Sequence, residues 1–177
     1  MQDTNVLVTF CSRLGSTERL ALAAALGAVQ ARANIRLRWL REIADDEAVD
    51  RTPGWRENRD RMAKEYIAPR EIDFLWADAL VIAIPAGVGM SSPELSPYFE
   101  SLQALQSAGK LHVCAATALT AGSAEAAFAD LGLTLVPLDQ DQRLDHNPTL
   151  GSNQDAVESA RLQGRRVTEA ARARKHQ

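Results

Sequence analysis

The sequence lacks most of the features that would assign a protein to a class at once. No apolar run reaches the ~20 residues needed to cross a bilayer. Met1-Gln2-Asp3-Thr4-Asn5 shows no charged segment leading into an apolar core, so the chain is expected to be soluble and cytoplasmic, with no membrane partner. There are two cysteines, Cys11 and Cys114, each near the end of an apolar stretch where a small hydrophobe serves as well, which argues against a disulfide framework. Neither sign of charge dominates: 20 Lys and Arg stand against 23 Asp and Glu, mixed along the chain, for a formal net charge of −3. This removes the general electrostatic reason to bind nucleic acid and favours a small-molecule ligand. No internal repeat, low-complexity tract or metal-ligand set stands out.

What is present is a 177-residue chain, 46% hydrophobic, long enough to bury a sizeable core. A single domain over residues 1–177 is expected. Apolar, strand-like runs recur at Val6–Phe10, Ile35–Leu40, Ala79–Ile84, Leu111–Ala115 and Leu133–Leu138, mostly separated by helix-like stretches. The runs are apolar nearly throughout, as strands covered by helices on both faces are, and a parallel α/β sheet follows. A helix over Thr17–Ala31 would carry Leu20, Ala23, Ala24, Gly27 and Ala28 on one face, a small-residue stripe suited to close packing on the sheet. A closing helix over Ser152–Lys175 has apolar positions Ala156, Ala160, Val167 and Ala171 at helical spacing. Its Arg161, Arg165, Arg166, Arg172, Arg174 and Lys175 form either a nucleic-acid arm or, as we favour, a solvated face with cations near a helix C-terminus. Ala44–Pro69 is polar and broken by Pro53-Gly54, an excursion off the sheet whose second half, Trp55–Tyr66, suits a helix. Leu138–Ser152 reads as loop.

Ligands of an open parallel sheet bind at the carboxyl ends of its strands. The turn after the first strand has only Gly15, too few for a dinucleotide fingerprint. Gly15-Ser16-Thr17 lacks a P-loop lysine, and the position six residues after Cys11, where a cysteine phosphatase needs arginine, is Thr17. What remains is Ser12-Arg13-Leu14-Gly15-Ser16-Thr17, a hydroxyl-rich loop entering a helix. Free amides of a first helical turn, with Ser12, Ser16 and Thr17 hydroxyls, suit a phosphate dianion. The alternative is that Ser16 or Thr17 simply caps the helix. After Ala79–Ile84 comes Pro85-Ala86-Gly87-Val88-Gly89, where two glycines expose backbone on which a planar ring can rest. In either case Ser92 is expected to cap a helix that Pro93 begins.

Together these stretches resemble the flavodoxin-like FMN proteins, most closely the WrbA-type NAD(P)H:quinone oxidoreductases. VLVTFCSRLGSTERLALAAALGA is similar to that family's first strand, S-x-x-G-x-T phosphate loop and first helix. WADALVIAIPAGVGMSSPELSPYFESL is similar to its third strand and flavin loop, and Ala160-Arg161-Leu162-Gln163-Gly164 to the A-R-x-Q-G stretch of its closing helix. The resemblance implies a three-layer sandwich: a five-stranded parallel sheet, order 2-1-3-4-5, with helices on both faces. It implies that Ser12, Arg13, Leu14, Gly15, Ser16 and Thr17 hold the FMN phosphate and that Pro85, Ala86, Gly87, Val88 and Gly89 face the ribityl chain and ring. A third flavin loop would be Ala116-Thr117-Ala118-Leu119-Thr120-Ala121-Gly122, with Ala116, Thr117 and Gly122 as cofactor contacts. NADH or NADPH would be the reductant, a quinone the acceptor, and the assembly a homodimer or homotetramer.

The chain also departs from that pattern. Ala86-Gly87-Val88 replaces Thr-Arg-Phe, removing an aromatic and a cation, and ATALTAG replaces a glycine-rich S-T-G-T-G-G-G run. The family's histidine before the fifth strand falls near Asp130-Leu131, and His146 reads as an ordinary surface residue. SLQALQSAGKLHV is shorter than its counterpart and lacks its Gly-Gly and Trp, and the loop after the fifth strand lacks Pro-Tyr-Gly. Three functions are therefore weighed: an FMN-dependent NAD(P)H oxidoreductase, a flavodoxin-like binding or regulatory domain with weak or lost FMN binding, and a flavodoxin-type electron carrier. Trp55 either stacks on the flavin or pins the excursion to the sheet, and packing is favoured.

Overall fold

The computed structural model describes residues 3–85, 87–89, 91–119, 123–138 and 154–175. Five strands form one parallel sheet of order β2-β1-β3-β4-β5: β1 (Thr4–Phe10), β2 (Ala33–Trp39), β3 (Ala79–Ala83), β4 (Ala115–Ala118) and β5 (Thr134–Leu135). Between and after them run α1 (Ser16–Gln30), α2 (Asp46–Arg51), α3 (Trp55–Glu65), α4 (Glu71–Trp76), α5 (Ser96–Ser107), α6 (Ser123–Asp130) and α7 (Gln154–Lys175). This is the sheet order the resemblance implied.

The central strands carry apolar side chains on both faces because both faces are covered. Val6, Val8 and Phe10 of β1, with Val81 of β3, join Leu20, Ala24 and Ala28 of α1 and Ala160, Val167 and Ala171 of α7 in one core layer. On the other face Leu7, Leu80 and Ile82 meet Phe74 of α4, Phe99 and Leu102 of α5 and Phe128 of α6. Edge strand β2 is only partly covered. Its Arg36 and Arg38 reach to Asp73 of α4, whose side chain is fully buried, and Arg36 stacks 4.3 Å from the Trp76 ring centre.

Four expectations change, the simplest being that the fifth strand is Thr134–Leu135 rather than Leu133–Leu138. The small-residue stripe of α1 packs on α7 as well as on the sheet: a Cβ on Gly27 would lie 1.8 Å from the Arg161 carbonyl oxygen, and one on Gly164 would lie 1.9 Å from that of Ala24. Glycine at both positions is what permits the two backbones to touch. The fourth strand is Ala115–Ala118 rather than Leu111–Ala115. Its ladder pairs Ala79 with Ala115, and Leu111–Cys114 only leads into it, so apolar character alone placed the strand four residues early. Helix α5 begins at Ser96, with Pro97 in its first turn, rather than at Pro93. The Ser92 carbonyl accepts from Leu95 and Ser96 N–H in a preceding turn, and the Ser92 hydroxyl caps nothing.

Candidate functional site

The chain goes from the interior strand β1 to β2 on one side and returns to β3 on the other, so the carboxyl ends of β1 and β3 flank the crevice where strand order reverses. The Ser12–Thr17 loop lies there. Gly15 is the N-cap of α1 in a left-handed conformation (φ 93°), and no side chain caps the helix. The first helical bond runs from Arg19 N–H to the Gly15 carbonyl. Among the described residues, the N–H groups of Ser16, Thr17 and Glu18 therefore remain free at the positive end of a 15-residue helix. The capping alternative for Ser16 or Thr17 is not what the structure shows. Ser12 instead braces the turn by accepting from Gly15 N–H at 3.1 Å, and the Thr17 hydroxyl engages no group among the described residues.

The loop's cation is directed elsewhere. Arg13 Nε donates to Glu42 Oε1 at 2.6 Å, and its guanidinium lies 5.1 Å from the centre of the Trp55 ring. Trp55 is buried with a face covered by Arg13, which matches packing rather than flavin stacking. Glu42, just beyond β2, is also buried. Burial pushes its carboxyl up, against the opposing pull of Arg13. Burial, reinforced by Glu42 and Glu94, likewise raises the Cys11 thiol, the reverse of what activates a cysteine. Glu94 reaches from the β3–α5 segment to accept from Ile43 N–H at 3.0 Å, linking it to the segment after β2.

A second group holds the head of α1. Glu18 is buried, and although burial works to raise its carboxyl, hydrogen bonds from Arg61 and Tyr66 hold it below its ordinary value. Tyr66 Oη donates at 2.7 Å and Arg61 grips both carboxylate oxygens. Burial and that carboxylate push the Tyr66 phenol up to about 12. Asn58 Nδ2 donates to the Arg13 carbonyl at 2.9 Å, and Arg61 Nη2 donates to Asn58 Oδ1 at 2.7 Å. None of Glu42, Asn58, Arg61 or Tyr66 was singled out from the sequence. They lie in or beside a polar excursion with no motif, and only the fold brings them to the loop.

The second loop presents open backbone. Among the described residues, and chain neighbours aside, Gly87 (φ 86°) and Gly89 have no atom within 4 Å of where a Cβ would stand. Val88 lies between them, its N–H donating to the Pro85 carbonyl at 3.3 Å. Ala86 and Gly122 lie outside the described residues, as do Thr120, Ala121 and His146. Ala116 and Thr117 are buried inside β4, not in a loop after it. The Thr117 hydroxyl donates to the Val136 carbonyl at 2.7 Å and accepts from Gln163 Nε2. The A-R-x-Q-G stretch thus has a structural use: Gln163 ties α7 to β4 and to the Val136 carbonyl beyond β5, and Gly164 seats α7 on α1. The basic residues of α7 mostly serve intramolecular contacts, including Arg172 to the Ala31 carbonyl and Lys175 to Asp78.

No protein-family model matches the chain. A curated protein of Deinococcus radiodurans named NAD(P)H dehydrogenase (quinone) is 30% identical over 104 residues, which is 59% of this chain and 52% of that protein. A protein of the same name from Chelativorans sp. is 28% identical over 135 residues, 73% of this chain and 65% of its own length. The chain thus spans between half and two thirds of the curated relatives it matches. Among solved structures, the flavodoxin, WrbA-like protein from Agrobacterium tumefaciens aligns with a TM-score of 0.55 at 17% identity, covering 97% of this chain and 99% of that one. The fold is flavodoxin-like, and the resemblance carried by the sequence motifs is borne out. No helix among the described residues is long and apolar enough to cross a membrane.

Proposed function

We propose that the chain is an FMN-dependent NAD(P)H oxidoreductase that reduces quinones or similar acceptors by two-electron hydride transfer. The observation that carries this reading is the uncapped first turn of α1, entered through the left-handed Gly15 at the point where strand order reverses. The free amides of Ser16, Thr17 and Glu18 and the unengaged Thr17 hydroxyl fit a phosphate. Open backbone at Gly87 and Gly89 fits a planar ring beside it. The matched relatives named NAD(P)H dehydrogenase (quinone) support the reaction class. Bound there, FMN would supply the hydride chemistry between NADH or NADPH and the acceptor.

The chain's own part is to bind and orient. Ser16, Thr17 and Glu18 amides would fix the phosphate end, and the Pro85–Gly89 segment would support the ring edge. We take residues 1–177 as one cytoplasmic domain working as a homodimer or homotetramer, a reading supported by Leu22, Leu26 and Val29, exposed at helical spacing along α1.

The test is a visible spectrum of the purified protein after incubation with FMN and removal of free flavin, followed by NAD(P)H-driven quinone reduction. A stoichiometric flavin spectrum with turnover is expected. A protein that retains no flavin refutes the oxidoreductase reading and favours the binding-domain alternative.

A further inference from the structure

We propose that α3 is a brace for the phosphate loop, with Asn58 and Arg61 as positioning residues for the FMN phosphate; this rests on the function proposed above. The Arg13–Glu18 segment is held from outside at both ends, by α3 at its start and by α3 together with Tyr66, the residue just after it, at its far end. At the start, Asn58 Nδ2 holds the Arg13 carbonyl. At the far end, Arg61 holds both oxygens of Glu18 in the first turn of α1. The two grips are joined, because Arg61 Nη2 also donates to Asn58 Oδ1. Between them lie the uncapped amides of Ser16, Thr17 and Glu18. Converging N–H dipoles repel one another when no anion is present, so a loop that keeps them aligned needs support from its surroundings.

Arg61 has a second effect. A buried carboxylate in the first turn of α1 opposes a phosphate bound at that turn, and Arg61 neutralises it. Glu42 and Trp55 meanwhile hold the Arg13 side chain, so the loop's own cation is already paired. The polar excursion between β2 and β3 is thereby accounted for: its α3 sets the geometry and the local charge of the loop.

The experiment compares wild type with Asn58→Ala and Arg61→Met, using Arg56→Ala as a control on the same helix, where Arg56 pairs with Asp50 instead of the loop. Hydrogen exchange of the Gly15 and Arg19 amides is read in ligand-free protein. Dissociation constants are measured for FMN and for riboflavin, which lacks the phosphate. We expect loop exchange to quicken about tenfold, FMN binding to weaken about tenfold and riboflavin binding to stay unchanged in both variants, with the control like wild type. Unchanged loop exchange in Asn58→Ala overturns the brace. Equal weakening of FMN and riboflavin overturns the positioning role and leaves only a structural one. A wild type that binds neither flavin refutes the proposed function and the phosphate role with it; exchange, read without ligand, separates that failure from failure of the brace.

Discussion

Replacing Gly164 with Ala sets two physical effects against each other. In an isolated helix the change is favourable by about 1 kcal/mol, because alanine loses less backbone entropy. In this fold the new Cβ would stand 1.9 Å from the Ala24 carbonyl oxygen and 2.8 Å from the Ala24 Cα, both backbone atoms of α1 that cannot rotate away. Relief requires α1 and α7 to part by roughly 1 Å, a gap at which dispersion contacts lose about a quarter to a half of their well depth. The loss spreads over Leu20, Ala24, Ala28, Ala160 and Val167, which are all buried in that layer. Overpacking of this kind costs about 3 kcal/mol. The net expectation is destabilisation by about 2 kcal/mol, which at a urea slope of about 2 kcal/mol/M lowers the midpoint by about 1 M. Gly27→Ala should behave alike, and the double variant should lose less than the sum, because helices already parted accept the second methyl more easily. Urea unfolding followed by circular dichroism measures all three. A midpoint that is unchanged or higher in Gly164→Ala would refute the close crossing.

Glu18 and Asp73 are both buried carboxylates held below their ordinary values despite burial, by Arg61 and Tyr66 and by Arg38, the Arg70 N–H and Arg36 respectively. Their folded forms bind protons less readily than the unfolded chain, so the stabilisation is complete above the ordinary carboxylate range and is lost as pH falls through the lowered folded values. The urea midpoint should fall with acidification, and Asp73→Asn should flatten that dependence while costing about 3 kcal/mol near neutrality, since it leaves Arg38 unpaired; an equally steep pH dependence in the variant would contradict this. Gln163→Ala, which strands the Thr117 hydroxyl and Val136 carbonyl from their Nε2 donor, should lower stability by about 2 kcal/mol without moving FMN affinity, as read by urea unfolding and flavin titration. Thr17→Ala should do the reverse, weakening FMN about tenfold with little change in the unfolding midpoint.

Much of the fold was legible in the sequence because its signals are local. Val6–Phe10 and Ala79–Ala83 are apolar without alternation, as strands buried on both faces must be, and both are strands. The buried stripes of α1 and α7 follow the helical period and were readable one residue at a time. Placement of β4 failed because Leu111 and Val113 are as apolar as the strand itself, and only pairing with β3 distinguishes Ala115–Ala118. At the site, Ser12–Thr17 was visible because strand, loop and helix N-terminus are contiguous in sequence. Its support was not. Asn58 lies 45 residues from Arg13, and Arg61 lies 43 from Glu18, within a segment whose composition reads simply as polar surface. Gln163 was noticed as part of a motif, but its partners on β4 and beyond β5 become neighbours only once the sheet is assembled.

The central claim, that the loop at the head of α1 holds the phosphate of FMN, is tested most directly by calorimetric titration of the flavin-free protein with FMN and, separately, with riboflavin. The account expects FMN to bind at one equivalent per chain and riboflavin to bind at least about tenfold more weakly, since it leaves the Ser16–Glu18 amides without an anion. Equal affinity for the two flavins, or no heat of binding with either, would contradict it.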